Sequence, residues 1–112
     1  MDYTYNIIDE VYNWMKSKKK TVEVRILKEK SQAIQPGDYI TFYHIDDNAK
    51  YIKVRVVNKN IVNTVDELFN LYPVEVMMPD HTEEDLKELL NEIYGDLLKD
   101  SKLVAIEFTY LT

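Results

Sequence analysis

The chain has 112 residues, 46% of them hydrophobic, a formal net charge of −6 and no cysteine. This is enough apolar material for one core, so a disordered chain is excluded and a single domain over residues 1–112 is expected. A disulfide framework and a cysteine-ligated zinc site are excluded too, and no apolar run approaches the roughly 18 residues of a membrane span.

Ile7, Ile8, Val11, Trp14 and Met15 recur at helical spacing and predict a first helix over roughly residues 5–17. Lys16 to Lys20 then place cations at its C-terminal end, where the helix dipole favours them. Val22, Val24 and Ile26 alternate with Thr21, Glu23 and Arg25, which predicts a strand with one buried face and puts Glu23 and Arg25 together on the other. Lys20 falls on the apolar parity, so either the strand starts after it or its ammonium sits at the rim of the core. Pro36-Gly37 marks a turn, because proline presets φ and glycine accepts positive φ at the next position. A strand from Tyr39 to His44 follows, and Asp46 to Ala49 separates it from a second at Tyr51 to Val57, as in a hairpin.

Thr64-Val65-Asp66-Glu67 has capping-box form and opens a short helix with Leu68 and Phe69. Thr82 caps a longer helix whose buried stripe is Leu86, Leu89, Leu90, Ile93 and Tyr94, with Gly95 as terminator. Leu103 to Tyr110 alternates again and ends the chain in a strand. Residues 72–100 hold nine acids against Lys87 and Lys99. A solvated helix face, or a surface for a protein partner, accounts for that.

Seven of the 14 basic residues lie between positions 16 and 30, giving this segment +5 in an acidic chain. The overall balance argues against general polyanion binding, and the local one for a focused anionic ligand. Within it Lys20, Glu23 and Arg25 are spaced Lys-x-x-Glu-x-Arg, and Gly37-Asp38 follows before the next strand. On these residues the chain resembles the ASCH (activating signal cointegrator homology) domain of the PUA-like superfamily, whose pattern is Gly-x-Lys-x-x-Glu-x-Arg and then Gly-Asp. Lys18 stands where that pattern has glycine, which suggests a different approach to the first strand. The resemblance runs over about residues 14–110. It implies an α+β fold, a small, mostly antiparallel barrel with flanking helices and a cleft beside the charged strand.

The resemblance further implies RNA or a nucleotide-like small molecule as ligand. Lys20 and Arg25 then meet phosphate or a base edge, while Glu23 accepts a base amino proton or acts as an acid or base. Lys53 and Arg55 extend a basic track or guard a strand edge, and Tyr39 and Tyr43 offer stacking platforms or simply pack. One branch of the family deacetylates N(4)-acetylcytidine with a lysine, a threonine three residues later and a further acid. Lys20 matches that lysine, Glu23 occupies the threonine position, Thr21 is a poor substitute, and Glu75 or Asp80 matches the acid only loosely. Amidohydrolase and ribonuclease activity are therefore the alternatives to binding, with Lys20 and Glu23 as the catalytic candidates. His44 and His81 have no metal-ligand spacing, and two glycines cannot build a phosphate loop. No metal or cofactor is expected. A start without a basic, apolar leader fits a cytoplasmic protein.

Overall fold

Tyr3, Tyr5 and Ile7 alternate with Asp2, Thr4 and Asn6. In the computed structural model, which describes residues 1–111, this two-residue period is a strand, β1 (Asp2–Ile7). It runs parallel to β3 (Tyr39–His44), with Tyr5 opposite Phe42. The helix expected over residues 5–17 is correspondingly shorter, α1 (Asp9–Lys16). Helical spacing fits Ile7 too, but pairing with β3 satisfies the backbone of β1 and packs its tyrosines on the core.

The end of α1 explains the position where Lys18 replaces glycine. Lys18 has φ 64°, its N–H bonds to the Met15 carbonyl at 2.9 Å, and the Lys19 N–H bonds to the Trp14 carbonyl at 3.0 Å. This pair of bonds is the Schellman ending, which requires a left-handed residue and therefore usually carries glycine. The approach to the next strand is thus the one glycine would give, contrary to the expectation from sequence, and Lys18 bears the steric cost.

β2 (Val22–Ile26) follows, then α2 (Glu29–Ala33), a turn with Gly37 at φ 96°, and β3. β4 (Asp47–Val62) is longer than the expected strand at 51–57 and already includes Asp47 to Ala49. Its second half is recruited by β5 (Leu103–Tyr110), and the register shifts between Val56 and Asn58. The five strands form one sheet in the order β1-β3-β4-β5-β2, antiparallel except for β1 with β3. The sheet curls into a half-barrel, so the fold is the α+β, mostly antiparallel one expected.

Two cores use the two sides of this sheet. Inside the curl, Phe42, Val54, Val56, Val104, Ile106 and Phe108 pack with Met15 from α1. Outside it, Val22, Val62, Leu103 and Ala105 pack under α3 (Val65–Leu71), α4 (Val74–Met77) and α5 (Glu83–Tyr94), and α6 (Leu97–Asp100) leads into β5. β5 is therefore buried on both faces from Leu103 to Ile106, not on one as its alternation suggests. Thr64 accepts from the Glu67 N–H, although the Glu67 carboxylate reaches Asn63. Thr82 and Asp85 form a reciprocal capping box, and Gly95 ends α5 at φ 53°. No helix among the described residues is long and apolar enough to cross a membrane.

Lys18→Gly and Lys18→Ala remove the same side chain and differ only in tolerance of positive φ. Chemical denaturation should find the glycine variant more stable by about 1 kcal/mol, the reverse of the order within a helix. An alanine variant of equal or greater stability would show that position 18 is unstrained.

Candidate functional site

Register decides where the charged side chains of β2 point. Glu23 lies opposite Ile106 and Arg25 opposite Val104 on β5, and both partners belong to the inner core. Glu23 and Arg25 therefore face the inside of the half-barrel, while Val22 sits opposite them in the outer core. The alternation of β2 thus separates two covered faces of different polarity. It does not separate a buried face from a solvated one. Glu23 is only 7% exposed.

Lys20 sits just before β2 and is 5% exposed. Its Nζ donates to the carbonyls of Val22 at 2.9 Å and Met77 at 2.6 Å, and lies 3.4 Å from Glu23 Oε1. Two ammonium donors are thus hydrogen-bonded to carbonyls, and the Glu23 carboxylate stands beside the ammonium as its ion-pair partner. The other carboxylate oxygen, Glu23 Oε2, accepts from Arg25 Nε at 3.3 Å and Nη2 at 3.0 Å. Arg25 Nη1 has no hydrogen-bond partner among the described residues.

Burial pushes the Glu23 carboxyl up, but the Lys20 and Arg25 charges outweigh it and hold the group below its ordinary value. Burial pulls the Lys20 ammonium down, and Glu23 restores only part of the loss. For Arg25 the order reverses: burial disfavours its charge, yet Glu23 more than compensates and raises it. A carboxylate held by two cations is the arrangement that makes a buried charge tolerable.

The same residues close the gap that the curled sheet leaves open. β1 and β2 are the two ends of the strand order, yet the Arg25 guanidinium lies 4.0 Å from the centre of the Tyr5 ring. Burial pushes the Tyr5 hydroxyl up to about 12, against the lowering influence of Arg25. Lys30 from α2 donates to the Thr4 carbonyl at 2.8 Å, and the free edge of β2 gives its Ile26 N–H to the Tyr94 hydroxyl at 3.3 Å. Tyr110 donates its hydroxyl to the Lys20 carbonyl, fixing the entry to β2.

Beside this cluster lies a cavity of about 260 Å³, walled by α1, β2, α4 and α5. Lys20, Glu23 and Arg25 form its charged side, and Trp14, Met78, Leu89 and Leu90 are among its apolar walls. The volume is just under the ~300–1,000 Å³ typical of small-molecule sites. Ile93, expected in the buried stripe of α5, is 59% exposed and, like Ile8, lines the cavity's opening.

Of the residues singled out from sequence, Lys20, Glu23 and Arg25 come together here. Tyr43, Lys53 and Arg55 do not, because they project from the outer side of β3 and β4. Thr21, Glu75 and Asp80 also lie outside the cavity lining. Among the described residues no group of three His, Cys, Asp or Glu side chains is placed to hold a metal. His44 accepts the Asp46 N–H at Nδ1, so its neutral ring carries the proton on Nε2 and donates it to Asp9 at 2.9 Å. The sequence reading missed Trp14, Tyr5 and Tyr94 as site residues. Trp14, the sole tryptophan, stood on the helical stripe; nothing local marked Tyr5 or Tyr94, whose partners are distant in sequence.

Glu23→Gln would leave Lys20 and Arg25 without their counter-charge. Urea denaturation at neutral pH should show a loss of about 3–5 kcal/mol. Because the folded-state value of Glu23 is depressed, its contribution is fully present above the unfolded value and is lost as pH falls through the folded one. The variant's stability should accordingly decline less steeply on acidification below about 4.5 than the parent's. Equal stability and equal acid dependence would rule out a supporting ion pair.

No family model matches the chain, and no curated protein is significantly similar to it. Solved structures are. The hypothetical protein PH0355 is 26% identical with a TM-score of 0.85, covering 99% of this chain and 100% of that one. Protein PF0455 from Pyrococcus furiosus is 28% identical with a TM-score of 0.78 over 99% and 98% of the two chains. The ZmASCH S128A mutant from Zymomonas mobilis is 16% identical with a TM-score of 0.68, over 95% of this chain and 66% of its own. The chain has an ASCH-like fold.

Proposed function

We propose that the chain is a binding module whose cavity takes the base of a nucleotide-like small molecule or of an RNA. One observation carries this reading: a carboxylate acceptor and an unengaged guanidinium donor stand side by side in an otherwise apolar cavity. A planar heterocycle presenting an amino group next to a carbonyl complements both, while its faces meet apolar walls and the Trp14 ring. The resemblance of the Lys20, Glu23 and Arg25 spacing to the ASCH pattern, on an ASCH-like fold, supports the same class of ligand.

Lys20 has a different part from the one expected of it. Buried, bonded to the Val22 and Met77 carbonyls and ion-paired with Glu23, it serves in this reading to set the position of Glu23 and not to meet a phosphate. The hydrolytic readings lack a supporting arrangement, since Thr21, Glu75 and Asp80 lie outside the cavity lining and Lys20 is tied to two backbone carbonyls and to Glu23.

Trp14 is the only tryptophan and lines the cavity, so its fluorescence reports occupancy directly. Titration with cytidine, uridine, adenosine, guanosine and their monophosphates should give saturable quenching for at least one. Arg25→Lys, which keeps the charge but loses the planar fork, should weaken binding by about tenfold. Incubation with N(4)-acetylcytidine should leave it intact. The reading fails if none of these ligands, nor a short oligoribonucleotide, changes Trp14 emission saturably.

A further inference from the structure

Away from the cavity, no helix among the described residues packs on the outer side of β3 and β4 over their six paired positions, and the composition there is unusual for a chain of net charge −6. Cross-strand neighbours there are Tyr39 with Arg55, Thr41 with Lys53, and Tyr43 with Tyr51. Lys53 Nζ lies 5.3 Å from the centre of the Tyr39 ring, and the Tyr43 and Tyr51 rings are 5.9 Å apart. Lys53, Arg55 and Tyr51 are exposed, Tyr51 by 58%. Neither Lys53 nor Arg55 forms an ion pair among the described residues.

Edge protection accounts for Lys53, which lies just beyond the pairing of β4 with β5, but not for Arg55. Arg55 is paired with Tyr39 on one side and Thr109 on the other, so it stands on an interior strand with no edge to guard. Core packing does not account for the rings either, since the inward positions of the same strands, Ile40, Phe42, Val54 and Val56, already fill the inner core. What remains is an outer sheet face on which aromatic rings interleave with cations that have no ion-pair partner among the described residues. From Tyr39 to Tyr43 it runs about 13 Å along the strand.

We infer that this face is a second docking surface, for single-stranded nucleic acid. Lys53 and Arg55 meet backbone phosphates, and Tyr43 and Tyr51 offer ring faces for bases, a combination that binds single strands with little sequence preference. An acidic polypeptide would match the charge and pack on the rings, but its carboxylates do not stack on them as successive bases do. Asp2 ends the Tyr39–Arg55 row at β1 and biases the backbone toward β4.

The test is fluorescence anisotropy of a labelled oligouridylate of about 12 nucleotides, titrated with the full chain at several salt concentrations. Lys53→Gln combined with Arg55→Gln should weaken binding by at least about tenfold and flatten the salt dependence by about 1.4 in the log–log slope. Tyr51→Ala should weaken it by about fivefold or more. All three side chains are exposed, and circular dichroism should match the parent. The inference is overturned if these variants bind as the parent does, if Arg25→Lys alone abolishes oligonucleotide binding, or if polyglutamate competes as well as unlabelled oligouridylate. Quenching of Trp14 by nucleosides is a separate readout, so the cavity reading and this one fail independently.

Discussion

A carboxylate inside the half-barrel, held by two cations, is the constraint on which the rest of this structure turns. Glu23 faces the inner core because of its register with Ile106, and a lone charge there would be prohibitive. Lys20 and Arg25 make it tolerable, and each does so by reaching for something else as well. Lys20 ties the start of β2 to the Met77 carbonyl at the end of α4, and Arg25 spans to Tyr5 on β1. The triad bridges β1 and β2, which do not pair, and reinforces the link between the entry to β2 and α4 that the Thr21 N–H makes to the Val76 carbonyl at 2.9 Å.

That joining explains why the cavity exists. A five-stranded sheet curled this way leaves β1 and β2 unpaired with each other, and hydrophobic side chains alone would collapse into the gap. Charged groups that must keep their partners hold the walls at fixed positions, and α1 and α5 roof the space with Trp14 and the Leu89–Leu90 pair. Two of the charged groups on the cavity wall keep bonding capacity: Glu23 Oε1, which faces the Lys20 ammonium at 3.4 Å, and Arg25 Nη1, which has no hydrogen-bond partner among the described residues. The third, Lys20, is consumed by the scaffold. The chemistry offered to a ligand is therefore a donor beside an acceptor against apolar walls, not a positive pocket.

Much of this was legible from residues alone, and the failures share a physical cause. β3 was placed to the residue by Pro36-Gly37 and its flanking alternation, and the Thr82 and Gly95 signals bounded α5, because caps and turns are local. The Lys20, Glu23, Arg25 grouping was also found, since one short strand carries it. What sequence misjudged was which side of an alternating strand meets water. In β2 and β5 both sides are covered, by the inner core and by the helices, and a polar residue facing a barrel interior has the same period as one facing solvent. β1 was missed because it is stabilised by pairing with β3, some forty residues away. Lys18 misled for the opposite reason: its identity departs from glycine while its backbone does not.

The claim that two cations outweigh burial at Glu23 has a direct measure. With the glutamate side-chain carboxyls labelled with carbon-13, the Glu23 resonance can be followed by NMR through an acid titration. The structure predicts a midpoint below the ordinary 4.5. A midpoint at or above 4.5 would mean that burial wins over Lys20 and Arg25, and that Glu23 is not the anionic centre that holds the barrel and its cavity together.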